Sequence, residues 1–468
     1  MSKRPFEDHA PHLSDALRNM SYDQWRGIRF KPGLSLWRTD HFSAQFFHLG
    51  FLYQQPVVIN YIDRKGTHKV AFSPDLFQYA DKELKKAADG GGFAGFRIHY
   101  PLNTPAYADE LAVFLGASYF RALARGQVYG MSARGLAIDT AQDTGEEMPF
   151  FSEFWIVHPS PWAKSITIYA LLDSQSVTGA YRFIVQPGTQ TIMKVNSELF
   201  FRRSVKTIGI APLNSMFFYG ENSDFRPNDF RPEVHDSDGL LEHLASGEWI
   251  WHPLVNPSKL LINAFSGKPL GFGLLQRDID FDHYQDLEAR YDLRPSVWVR
   301  PQNDWGKGHL ELIQIPADTE YNDNIVAFWA PQRSFQKGDR LKYAYTLSWF
   351  TDNRSLVPLG HVHATRIVRK AQTVMFIIDF DGDKFKRIIK KITPVPDVWI
   401  GQGAHLTDLQ SYKNDATGGW RLVLHVQLDA EPPSLLGVPV QKPAIELRAF
   451  LKDKASALSE TWSYTYLP

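Results

Sequence analysis

The chain has 468 residues, 44% of them hydrophobic and 22% charged, which is enough for a large core and for more than one domain. Its 51 basic and 51 acidic side chains cancel, which removes long-range attraction to nucleic acid or to an anionic membrane and favours a neutral partner. There is no cysteine, which excludes disulfides, thiolate metal sites and a cysteine nucleophile, and leans toward an exported bacterial protein.

Residues 1–7 do not resemble a signal peptide, so any export signal is expected to be missing from this chain. No apolar run reaches the roughly 20 residues needed to span a bilayer, so membrane insertion is not expected. Residues 13–25 place Leu13, Leu17 and Met20 on one helical face and predict a short N-terminal helix. Residues 109–114 predict another, ending before Gly116. The remaining pattern is one of short runs rich in Val, Ile, Tyr, Phe and Trp, at 56–61, 165–172, 181–185, 260–265 and 297–300, punctuated by Gly, Pro, Asn and Asp. That spacing predicts stacked antiparallel sheets, not alternating βαβ units. The 13 Trp, 19 Tyr and 32 Phe suit such half-buried pleated surfaces, with a minority free to stack on sugar faces. Gly271-Phe272-Gly273 lacks the last glycine of a dinucleotide fingerprint and predicts a strand with close backbone approach.

Residues 341–350 alternate strictly and predict the last strand of a large first domain, followed by a polar, breaker-rich connection from Thr351 to Gly360. The expected division is 1–352, a linker at 353–361, and a small immunoglobulin-like sandwich over 362–468. Within that second unit, 374–379, 420–428 and 444–451 predict strands, and the proline-rich stretch 429–442 predicts a loop.

The chain has no phosphate-binding loop, zincin helix or serine-hydrolase elbow. Asp379-Phe380-Asp381-Gly382-Asp383 imitates the start of a calcium loop, but its glycine falls fourth and its twelfth residue is Lys390, so a strand end and turn are expected. His361-Val362-His363 lacks a third ligand nearby in sequence, and neither a metal nor a cofactor is expected. Acids, amides and rings remain. Asp323 lies between two amides in Tyr321-Asn322-Asp323-Asn324, at the mouth of an apolar strand where burial would raise its pKa. Asp236 ends the cluster Arg231-Pro232-Glu233-Val234-His235-Asp236. Two carboxyl groups from separate loops are what glycosidic cleavage requires. Asp304-Trp305-Gly306-Lys307-Gly308 could line a sugar cleft, although composition alone favours a hairpin turn with a buried Trp. Tyr291-Asp292-Leu293-Arg294 reads as a loop ion pair or as part of a site.

Those segments, with Gly116-Ala117-Ser118-Tyr119-Phe120-Arg121, the run 126–140, Gly247-Glu248-Trp249-Ile250-Trp251, Arg294-Pro295-Ser296 and Glu460-Thr461-Trp462-Ser463-Tyr464, carry a resemblance over nearly the whole chain. The sequence resembles the periplasmic glucan biosynthesis proteins OpgG and OpgD, also called MdoG and MdoD, in their OpgD-like form. The resemblance implies an all-β fold, with a large galactose-mutarotase-like sandwich followed by the immunoglobulin-like one, and a periplasmic location. It implies β-1,2-glucan as partner and is compatible with a homodimer. By matching motifs, the family's general acid falls on Asp323 and its general base on Asp236. Tyr291 is a candidate proton relay, and Arg134, Arg231, Trp305 and Lys307 are candidates for holding glucose units. The reaction implied is anomer-inverting, with the two carboxyl groups roughly 6.5 to 9.5 Å apart or farther if a relay intervenes. The segment between Leu356 and Val374 looks shorter than in glucanase-type members, which tips the reading toward transglycosylation giving α-1,6-closed rings. Hydrolysis and a non-catalytic glucan-binding scaffold are the alternatives, and Asp236 and Asp323 together favour an enzyme.

Overall fold

The computed structural model describes residues 1–7, 13–88, 91–223, 226–351, 356–430 and 443–468. Two large antiparallel-dominated sheets, of ten and fifteen strands, are stacked, and a four-stranded sheet covers one end of the larger. Alternation builds them. Val177–Gln186 and Thr191–Phe201 pair along ten registered residues, and every second side chain is buried. Phe183, Val185, Val195 and Leu199 from this pair join Phe96, Phe114 and Phe120 of the ten-stranded sheet in one core. Each fully buried side chain of this kind is worth roughly 1.5–3 kcal/mol.

A second core lies between the four-stranded sheet and the C-terminal end of the fifteen-stranded one, around Trp251, Phe376, Leu424 and Trp462. Thr461–Tyr466 runs parallel to Trp249–Pro253, Trp251 opposite Trp462, so C-terminal strands continue the large sheet instead of standing apart from it. The fold is all-β, as the sequence predicts.

Several local expectations need correction. Residues 109–114 are not helical: Asp109–Leu115 is a strand between Phe93–Tyr100 and Tyr119–Ala122. Asp-Glu-Leu-Ala favours a helix locally, but Leu111 to Phe114 are all buried, which a two-faced strand inside a sheet satisfies and a half-exposed helix does not. The single helix at 13–25 is two, Asp15–Arg18 and Tyr22–Arg26, because Ser21 caps the second through a reciprocal box with Gln24. The strand Thr373–Asp381 ends as expected, but a helix, Asp383–Ile389, follows in place of a turn. Gly271 and Gly273 do permit close approach: a Cβ would lie 2.4 Å from the Trp298 ring at the first and 2.1 Å from the Val297 carbonyl at the second. Residues 352–355 of the expected connection and 431–442 of the expected loop lie outside the described residues.

Candidate active site

In the ten-stranded sheet, register decides which side chains face away from the core. Phe120 pairs with Ala133, Ala133 with Leu213, and Leu213 with Ala327, and all four enter the core. Their neighbours Arg121, Ser132, Asn214 and Val326 therefore share the opposite face. That face continues through Val113 and Arg97 to Gln45, forming a row across the strands. Arg97 donates to Glu110 at 2.6 Å and to Gln45 at 2.8 Å.

The row meets the acidic residues where Ile208–Ser215 ends and Ile325–Pro331 begins, with Ser215 opposite Ile325. Asn324, just outside the strand and buried, acts as a bracket. Its main-chain N–H donates to the Ser215 carbonyl at 3.1 Å, and its side-chain carbonyl accepts from Phe217 N–H at 2.8 Å. Its amide group donates to the carbonyls of Phe217 and Ile315. Asp323 therefore precedes a residue with no rotational freedom to spare.

The same bracketed segment holds Asp236. Its N–H donates to the Met216 carbonyl at 2.8 Å, and the flanking Ser237 and Ser215 hydroxyls lie 2.6 Å apart. On the other flank His235 is fully buried between Gln276 and Glu233, 3.0 Å from each, and stacks on Phe217. Two loops far apart in sequence are thus fixed to one three-residue stretch, Ser215 to Phe217.

The two carboxyl groups sit in different surroundings. Asp323 is open at the surface but set deep among the elements around it. Burial pushes its carboxyl up, and the guanidinium groups of Arg121, Arg294 and Arg134 pull it partly back. Asp236 is buried, and its Oδ1 accepts from Arg294 Nη1. One guanidinium therefore binds one carboxylate and acts electrostatically on the other. Arg294 is held in turn by the Tyr291 ring, 4.1 Å from its guanidinium carbon, and by Gly130, where a Cβ would lie 3.0 Å from its side chain.

The expected site residues divide into three groups. Asp323, Asp236 and Tyr291 converge around Arg294. Tyr291 is buried, and burial with the nearby Glu320 carboxylate raises its phenol further. Arg134 acts on Asp323 as an enclosed charge, and Arg231 acts on Tyr291. Arg134 is 1% exposed, donates to Glu146 at 2.7 Å and lies under the Tyr119 ring. Beyond it, a cavity of about 750 Å³ is lined by Glu146, Tyr53 and Arg203, but by neither Asp323 nor Asp236. Arg231 is engaged by Asp229, Asp286 and Glu320, at 2.7, 2.9 and 2.8 Å. Trp305 and Lys307 stand elsewhere. Gly308 pairs with Pro331 and Gln314 with Ile325, so Lys307 lies at the far end of this hairpin from Asp323, roughly 20 Å along the strands. Trp305 packs edge-on against Tyr343, Tyr345 and Phe272, the buried-turn arrangement that composition favours.

Arg121 and Tyr119 are neighbours that residue types did not single out, whereas Arg294 and Asn324 stand out in the sequence without the roles they take here. All four lie in segments that carry the resemblance, but only the folded chain shows which of their side chains face the acids. Among the described residues, one trio could bring metal-ligand atoms together, Glu233, Asp278 and His283. Two of its contacts are already used, Glu233 with His235 and Asp278 with His283.

Comparison with known proteins shows the family. The family described as "Periplasmic glucan biosynthesis protein, MdoG" matches residues 1–466. "Glucans biosynthesis protein G" of Ralstonia nicotianae is 44% identical over 484 residues, covering 100% of this chain and 94% of that protein.

Proposed function

The chain belongs to the MdoG family of periplasmic glucan biosynthesis proteins, and from that premise we propose that it is an anomer-inverting enzyme acting on linear β-1,2-glucan. The observation that carries this reading is the shared frame at Ser215 to Phe217, which fixes one carboxyl pushed toward its neutral form and one ion-paired with Arg294. Different environments for two carboxyl groups divide the labour of acid and base. Asp323, protonated, donates to the leaving glycosidic oxygen. Asp236, with Tyr291 as candidate relay, receives the proton of the attacking oxygen on the opposite face. The row Asn214, Arg121, Arg97 and Gln45 would carry sugar hydroxyls away from the cleavage point, with Arg134 and Arg231 as positioning charges. Trp305 and Lys307 would reach substrate only through a chain long enough to pass the hairpin. The division into units at 1–352 and 362–468 belongs to the same proposal, with catalysis assigned to the first.

Inversion at a β-linked carbon by water gives hydrolysis; attack by a sugar 6-hydroxyl gives an α-1,6 bond. We favour transfer, with the inverting endo-glucanase as second reading, because the segment between Leu356 and Val374 looks shorter than in the glucanase-type members that the sequence resembles. No helix among the described residues is long and apolar enough to cross a membrane. Incubation with linear β-1,2-glucan and mass analysis of the products tests the reading. Rings that lack the water of a linear chain of equal length indicate cyclising transfer, products gaining one water indicate hydrolysis, and unaltered glucan would leave only a scaffold.

The electrostatics make a second test. A general acid works only while protonated, so activity falls as pH rises through the Asp323 pKa. Arg121 stabilises the carboxylate form and so lowers that pKa. Arg121→Met removes the positive charge, raises the pKa and moves the alkaline limb of the activity profile to higher pH. An unmoved or downward limb would assign that limb to another group.

A further inference from the structure

A second cavity, about 680 Å³, lies at the other end of the molecule's sheet system and takes no part in the chemistry above. It opens where Leu261–Ser266, the last strand of the ten-stranded sheet, runs beside the C-terminal part of the fifteen-stranded one. Its volume falls within the roughly 300–1,000 Å³ common for small-molecule sites. Trp399 stands at its wall with 54% of its surface exposed, on the outermost strand Val395–Ile400.

The cavity is lined by polar groups that the fold leaves incomplete. Glu242 is 2% exposed; its Oε1 meets His252 Nε2 at 3.2 Å, while its Oε2 is buried with no hydrogen-bond partner among the described residues. Asn263 is 8% exposed and spends its amide group on Thr465 Oγ1 at 3.0 Å and Glu446 at 3.5 Å. Its Oδ1 is likewise buried and unpartnered among the described residues. His252 is stacked on Phe265 at 3.8 Å, so the ring nearest these acceptors is not free to turn toward them. A buried acceptor without a donor costs free energy, and each such group calls for an explanation. An edge strand adds unpaired backbone groups to the same wall.

We propose that this groove is a second carbohydrate-binding site, taking a stretch of glucan chain remote from Asp323. A flat exposed indole offers a face to a sugar ring, and hydroxyl donors are what Glu242 Oε2 and Asn263 Oδ1 lack. The lining carries three carboxylates, Glu242, Glu248 and Glu446, against Arg448, which is paired with Glu248 at 2.6 Å, so the excess of acid disfavours an anionic ligand and offers acceptors to hydroxyl groups. The choice of glucan rests on the function proposed above; the site itself rests on the groove. A long chain held here raises the effective concentration of its other segments at the acid pair, whereas a short oligosaccharide gains nothing.

The test uses the full chain and two substitutions, Trp399→Ala and Glu242→Gln, each checked by thermal melting. Retention on immobilised long β-1,2-glucan and turnover of a short linear β-1,2-oligosaccharide are measured side by side. The expected result is that Trp399→Ala weakens retention about tenfold, as loss of an aromatic anchor does, while short-substrate turnover stays within about twofold. Glu242→Gln, which keeps the shape but replaces the orphaned oxygen with a donor, weakens retention in the same sense. Unchanged retention in folded Trp399→Ala overturns the second site and makes the groove a solvent-filled cleft. Trp399-dependent retention with no turnover by the unmodified protein keeps the second site and overturns the enzyme reading instead.

Discussion

Asp323→Asn is expected to lower turnover of linear β-1,2-glucan by about three orders of magnitude while leaving glucan binding within about twofold, in line with the size of general-acid catalysis. The substitution is nearly isosteric, and Asp323 is not one of the groups that tie the site together. The bracket is Asn324, whose hydrogen bonds run to Ser215, Phe217 and Ile315 and do not involve the Asp323 side chain. The fold and the row of polar residues should therefore survive, and only the proton is lost. An amide cannot donate a proton to a leaving oxygen at any pH, so the variant should stay inactive across the profile. Binding is measured by retention or calorimetry and turnover by product mass. Retention of a tenth or more of the activity would mean that another acid protonates the leaving group. Loss of binding along with turnover would instead make Asp323 a substrate ligand.

Much of the fold was legible because the sheets are built from strictly alternating segments. The expected run 181–185 lies inside Val177–Gln186, 341–350 inside Arg340–Phe350, and 420–428 coincides with Trp420–Leu428. Alternation failed where a strand is buried on both faces. The residues Leu111 to Phe114 give no period-2 signal, and their helix-favouring composition misleads. The acid pair was legible only through the family resemblance, since nothing in residue type ranks Asp323 above other acids. What raises its pKa is enclosure by distant elements, and what restrains that rise is Arg121, Arg294 and Arg134, brought together by strand register and by the packing of Gly130 against Arg294. The resemblance likewise points to Trp305 and Lys307, but spacing along a hairpin separates Lys307 from Asp323. Local sequence contains the identities of these groups, not the register that decides which face they share.

The second large effect is expected at the opposite carboxyl group, and there loss of catalysis and loss of stability must be separated. Asp236 accepts from Arg294, and both are largely enclosed, with side-chain exposures of 6% and 17%. Removing one partner of such a pair typically costs about 3–5 kcal/mol, because the other charge is left without compensation. Asp236→Asn should therefore both abolish turnover and lower the melting temperature, and the single variant cannot say which causes which. The companion is the double variant Asp236→Asn with Arg294→Met, which removes the stranded guanidinium while keeping an unbranched side chain against Gly130 and Tyr291. It should recover much of the lost stability. If Asp236 is the base, activity stays absent in the double variant although the fold is restored. Activity returning with stability would reduce Asp236 to a structural counter-ion and pass the base role to another group. Arg294→Met alone supplies the remaining corner of the cycle. Losing that cation should push the Asp323 pKa higher and shift the alkaline limb upward, as Arg121→Met does, whereas the stability change reports on Asp236. One guanidinium between two acids thus makes the assignment of both measurable, one from a pH profile and the other from a thermal cycle.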